Sequence, residues 1–151
     1  MKLHYIDYIL VSLQAALLIL FVLDVSMLEL ASPIYLKGIA LVIAILGFVL
    51  LIIALLQLNR NLSPFPTPKK NSQLIQNGIY KYIRHPIYTG ILLGCFGYSL
   101  YVDSSYKILI SVLLLLLFTI KSRYEEKELK QKFKTYSAYM KITGRFFPKL
   151  P

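Results

Sequence analysis

Four apolar stretches divide the chain, running roughly over residues 5–25, 34–58, 86–102 and 107–120. The second is the clearest. Its core, GIALVIAILGFVLLIIALLQL, holds no charged residue and is long enough to cross about 30 Å of hydrocarbon. The first follows a single lysine and lacks a small-residue cleavage site, so it reads as a retained span rather than a signal peptide. The fourth is short for a span. Strong helix formers (KSRYEEKELKQKF) follow it directly, so the helix is expected to continue out of the membrane. The pattern predicts an amphipathic C-terminal helix over 121–140. Between the second and third stretches, residues 59–78 (NRNLSPFPTPKKNSQLIQNG) carry three prolines and no helical period, which marks a long loop. Loops of this length are usually functional or disordered. The prediction is one all-α integral membrane domain over residues 1–151. It has about four transmembrane helices and a cytoplasmic C-terminal helix.

Composition supports this reading. Apolar residues make up 57% of the 151 positions, more than a soluble domain of this size can hide from water. The twelve tyrosines can serve as interfacial aromatics in a chain without tryptophan. Basic residues set the orientation. Arg60, Lys69, Lys70, Lys81 and Arg84 lie in or just after the long loop, and nine more follow from Lys121 onward. The opposite connections hold Asp24, Glu29 and Asp103, with Lys37 and Lys107 as their cations. The positive-inside bias therefore puts the loop and both termini in the cytoplasm, as an even number of spans requires. The same clustering accounts for a net charge of +10 through anionic lipid headgroups rather than nucleic acid. A single cysteine, Cys95, excludes an internal disulfide. With only His4 and His85 beside it, no metal site is expected.

Three polar clusters stand at the membrane edges. The first is GIYKYIRHPIYTG, residues 78–90. Pro86 suits the first turn of a helix and pushes His85 out of helical geometry. Arg84 and His85 then sit at the mouth of the third span, with Tyr88 on the same face as His85. Free backbone N–H groups and a positive dipole end are expected there for an anionic group. An interfacial anchor is the plainer alternative. The second cluster, KSRYEEKEL, places Lys121 and Glu125, Glu126 and Lys130, and Glu128 and Lys132 at i,i+4 spacing. Glu126 and Glu128 read as a solvated, ion-paired face, while Glu125 is open to either a structural or a site role. The third cluster, Tyr136 to Tyr139 followed by Arg145-Phe-Phe-Pro148, reads as an amphipathic segment lying on the membrane. Gly90, Gly94 and Gly97 form a small-residue stripe suited to close helix packing.

Taken in order, Gly78-x-Tyr80, RHPIY (84–88), EEKEL (125–129), the Tyr136/Tyr139 pair and Arg145-x-x-Pro148 resemble the isoprenylcysteine carboxyl methyltransferase family and its phospholipid methyltransferase relatives. The resemblance spans roughly Gln57 to Pro148. It implies a helical bundle holding S-adenosylmethionine on its cytoplasmic side. The implied cofactor-binding residues are Ser72, Gln73, Leu74 and Ile75, mainly through backbone, with Tyr80, His85, Pro86, Ile87, Tyr88 and Glu125. A basic residue four positions before the first glutamate contacts substrate in that family. This position is Lys121, and with Arg84 and Arg145 it makes up the candidate catalytic set.

The implied acceptor is a lipid-like or prenylated carboxylate bathed in membrane lipids. An ionised carboxylate needs no general base, so catalysis would rest on positioning and exclusion of water. Methylation of a phospholipid amine stands as the second reading. A reductase of the related sterol-reductase fold and a scaffold with a degenerate site are the others.

Overall fold

The computed structural model describes residues 3–25, 27–28 and 30–149. Glu29 and the side chain of Arg60 lie outside the described residues. Five α-helices follow in order: α1 (Tyr5–Val22), α2 (Ile34–Leu58), α3 (Pro86–Tyr101), α4 (Ser105–Lys132) and α5 (Tyr136–Ile142). Single 3-10 turns occupy Asn59–Asn61 and Gly78–Lys81. No strand occurs among the described residues, and the protein is all-α, as its pattern predicts.

Three of these helices, α1, α2 and α4, are long and apolar enough to cross a membrane. With 25 residues, α2 reaches about 37 Å at 1.5 Å per residue. Its large apolar side chains are mostly exposed, as lipid contact requires. The third stretch is shorter. At 16 residues α3 spans only about 24 Å. It lies against α2, and glycine makes that approach close. A Cβ on Gly90 would come within 2.8 Å of Gly47 O and Leu51 N, and one on Gly97 within 2.6 Å of Ala44 N. Leu92 and Cys95 of α3 meet Ile110, Leu114 and Phe118 of α4 in the buried core, and α1 packs on α4. Contact between α1 and α2 is slight.

Residues 121–132 continue α4 without a break, as the helix formers there predict, but the helix expected over 121–140 is interrupted: the backbone turns at 133–135 before α5. Phe133 is extended, with ψ at 111°, which ends the helix. Folding back in this way brings α5 and residues 143–146 against the start of α3. Arg84 N donates to Gly144 O at 2.9 Å, His85 N to Arg145 O at 3.1 Å, and Gly144 N to Tyr82 O at 3.1 Å.

The two ends of the bundle are secured differently. At one end Lys37 pairs with Asp103 at 2.7 Å, and buried Lys107 pairs with Asp24 at 2.9 Å while donating to the terminal carbonyls of Phe21 and Leu23. At the other, the long loop is pinned to α1. Asp7 is fully buried and accepts from Thr67 Oγ1 at 2.7 Å and from Thr67 N at 3.1 Å. Tyr8 meets Phe65 edge to face.

Candidate functional site

The loop-side end encloses a cavity of about 440 Å³, within the usual range for a small-molecule site. The long loop, the Gly78–Lys81 turn, the first turns of α3, the C-terminal half of α4 and α5 all contribute to its wall. Gly78 opens the turn with a φ of 58°, the left-handed region glycine tolerates. Gln57, at the end of α2, holds that turn by accepting from Ile79 N at 2.9 Å.

The start of α3 sets the polar wall. His85 lies outside helical geometry, with φ at −123° and ψ at 58°, and Pro86 takes the first helical position, so the His85 side chain stands clear of the helix. Its ring lies parallel to that of Tyr88, 5.4 Å away at an interplanar angle of 4°. On the other side Tyr88 stacks on Phe118 at 4.6 Å. Facing them, α4 supplies two consecutive glutamates. Glu125 accepts from the Tyr88 hydroxyl at 2.9 Å, and its Oε2 is 3.6 Å from His85 Nδ1. Glu126 Oε1 is 3.3 Å from His85 Nε2. The imidazole thus bridges the two carboxylates.

Glu126 is almost wholly buried and carries a second pair of bonds. Arg84 Nε donates to it at 2.9 Å and Arg145 Nη2 at 2.7 Å. Arg84 also donates to the carbonyls of Met140 and Thr143, which ties α4, α5 and the start of α3 into one unit. The solvated face expected for Glu126 is therefore corrected: its partners are Arg84, His85 and Arg145 rather than Lys130. The i,i+4 pattern is blind to it because these partners come from distant segments. A usable signal was present, since Ile110, Leu114, Phe118, Ser122 and Glu126 continue one buried stripe at i+4 spacing. Tyr136 and Tyr139, expected at the membrane surface, are buried instead. Tyr139 donates to the carbonyl of Tyr80, and both tyrosines line the cavity. Tyr80 donates to Ala54 O at 3.2 Å. Burial, with Glu125's charge second, holds the Tyr80 phenol well above its usual range. Burial likewise pushes Tyr139 up to about 12, partly offset by the Arg84 cation. All these phenols stay protonated at neutral pH.

The structure gathers nearly every residue picked out from the sequence. Ser72, Gln73, Leu74 and Ile75 line the cavity from the loop, and Tyr80 lines it from the turn. His85, Pro86, Ile87 and Tyr88 line it from α3, and Glu125 and Lys121 from α4. Ser72 is fixed by Lys132, whose ammonium donates to its hydroxyl at 2.7 Å. Arg84 also borders the cavity, but its guanidinium points to Glu126. Arg145 does not border it and stands behind Glu126. Lys121 is buried, with Nζ 5.5 Å from the Tyr88 ring centroid. Among the described residues, no group of three or more His, Cys, Asp or Glu is arranged to hold a metal ion.

A bundle of membrane-length helices closing an aromatic cavity with a carboxylate, Glu125, in its wall defines the class. Residues 34–136 match the phospholipid methyltransferase family, and the chain belongs to it. That family includes members like the isoprenylcysteine carboxyl methyltransferases. The chain is thus an integral membrane protein of a methyltransferase family. It is also 30% identical, over 83 residues, to the cobalt-zinc-cadmium resistance protein CzcN of Cupriavidus metallidurans. The similarity covers 54% of this chain and 38% of that protein.

Proposed function

We propose that the protein transfers a methyl group from S-adenosylmethionine to a lipid-like acceptor, at a cavity open to the cytoplasmic side of the membrane. The observation carrying this reading is the convergence of His85, Tyr88, Glu125 and Lys121 on a single cavity. When bound, S-adenosylmethionine supplies a methyl group on a positively charged sulfur, displaced in line with the electron pair returning to sulfur. The residues fit such a group. Glu125 offers a carboxylate to an ammonium or to ribose hydroxyls. Tyr80, which lines the cavity, offers an aromatic face to a cation. Ser72 to Ile75 offer backbone groups. Arg84 and Arg145 act as positioning residues, holding Glu126 and through it His85. Lys121 meets the acceptor. Cytoplasmic placement is supported by the basic residues gathered at this end.

A carboxylate acceptor suits this site, because it is ionised at neutral pH and Lys121 can orient it. Methylation of a phospholipid amine is the second reading, favoured by the family's description. An amine must lose a proton, which His85 or Glu125 is placed to accept. Calorimetric titration of the full chain in nanodiscs with S-adenosylmethionine tests the common part. Saturable binding is expected, and its absence overturns both readings in favour of a scaffold. Labelling with a radioactive methyl donor then separates them, by incorporation into a prenylcysteine analogue or into phosphatidylethanolamine.

A further inference from the structure

The family match begins at residue 34 and leaves α1 without a role. Yet α1 carries a polar side chain deep among apolar ones. Asp7, Leu10, Gln14 and Leu17 lie along one face of this helix. Asp7 and Leu10 are buried, and Leu17 packs against the α3–α4 core. Gln14 lines the cavity from the same face. A carboxamide at membrane depth is costly unless it is used.

Its Oε1 accepts from Lys121 Nζ, whose second acceptor is Pro64 O at 3.0 Å. Both are neutral oxygens. The contrast with Lys107 is informative. That lysine is also buried, but its ammonium is 2.9 Å from Asp24. Among the described residues no carboxylate forms an ion pair with Lys121. The charges of Glu125 and Asp7 act on Lys121 only from beyond ion-pair distance, so an anion in direct contact with its ammonium is favoured. An ammonium has three N–H donors, so one remains for a ligand. With its oxygen committed to Lys121, Gln14 keeps its NH2 group as a further donor. Leu51, Leu55 and Leu58 of α2 line the same cavity, an apolar wall for an alkyl chain. Because α1 and α2 hardly touch, packing between them does not seal that side from the hydrocarbon.

We infer that Gln14 is a specificity-determining residue. Acting with Lys121, it forms the seat for an anionic oxygen head group, carboxylate or phosphate, on a single-chain amphiphile. This rests on reading the cavity as a methyl-transfer site. Three probes with the same tail test it in the full chain in nanodiscs: oleate, oleoyl lysophosphatidate and oleyl alcohol. One or both anionic probes should bind about tenfold or more tightly than the alcohol. Oleate preference identifies a carboxylate seat, and lysophosphatidate preference a phosphate seat.

Gln14→Glu pairs Lys121 internally and should bring that preference down to about threefold or less. Gln14→Leu should weaken it in the same direction. S-adenosylmethionine affinity should stay within about twofold in both variants. Equal binding of all three probes by the unaltered protein overturns the inference. So does a preference retained in Gln14→Glu, or a parallel loss of donor affinity, which marks a merely structural role. Donor binding without head-group preference sinks this seat alone. Preference without donor binding sinks the methyl-transfer reading and leaves the seat standing.

Discussion

The Tyr88 hydroxyl donates to Glu125 Oε2 at 2.9 Å, joining the first turn of α3 to the midpoint of the cavity wall on α4. The bond crosses 37 residues of sequence. It holds the carboxylate beside the His85 imidazole, where the proposed methyl donor would be met. Glu125 keeps about a quarter of its side chain exposed, so it remains available to a ligand.

Glu125→Ala and His85→Ala should therefore each weaken S-adenosylmethionine binding by about tenfold or more, or about 1.4 kcal/mol. Membrane insertion should be unaffected. Calorimetry on the purified variants checks this, and unchanged affinity in both would remove the pair from the donor site.

The adjacent glutamate predicts a different outcome. Glu126 accepts from Arg84 and Arg145 and faces His85, with almost no exposure of its own. Removing one member of a buried charge network leaves the others unpaired and costs about 3–5 kcal/mol. Glu126→Ala should lower the melting temperature clearly, while Glu125→Ala should barely move it. Equal melting shifts for the two variants would refute this division of labour.

These neighbours also show how far sequence reasoning reaches. The four apolar stretches are legible because lipid-facing helices need no polar side, so their runs stand out. The RHPIY and EEKEL segments are legible because charge and proline at a membrane edge are unusual. The burial of Glu126 is only faintly legible: the i+4 stripe from Ile110 to Ser122 leads to it, but its i,i+4 charge spacing points to a solvated face and its partner Arg84 lies 42 positions away. The same holds for Tyr136 and Tyr139. Their spacing fits a surface helix, and only the turn at 133–135 swings them under the cavity. Gln14 is not legible, because a single polar residue barely interrupts an apolar run.

Lys121 lies on the cavity side of α4 but is held by Gln14 and Pro64 rather than by Glu125. If it meets the acceptor, Lys121→Ala should lower turnover more than it lowers donor affinity. Steady-state rates on a prenylcysteine analogue, compared with calorimetric affinity for S-adenosylmethionine, separate the two effects. A larger loss of donor affinity would move Lys121 to the cofactor.

The glycine stripe of α3 offers a test of the fold itself. On sequence Gly90, Gly94 and Gly97 look equivalent, but α2 approaches them unequally. A Cβ on Gly97 would meet Ala40 O at 2.7 Å and Ala44 N at 2.6 Å, both backbone atoms that cannot rotate aside. A Cβ on Gly94 would meet nothing within 4 Å. Overpacking of this kind costs about 1–3 kcal/mol, whereas alanine in an open helical position is neutral or slightly favourable. Cys95, the single cysteine, is buried between these glycines in the α3–α4 core. Its reaction with a thiol-specific fluorophore on heating therefore reports opening of the core. Gly97→Ala should expose Cys95 at a distinctly lower temperature, and Gly94→Ala at the temperature of the unaltered protein or above. If both variants melt together, the close approach of α2 to Gly97 is not a feature of the folded protein.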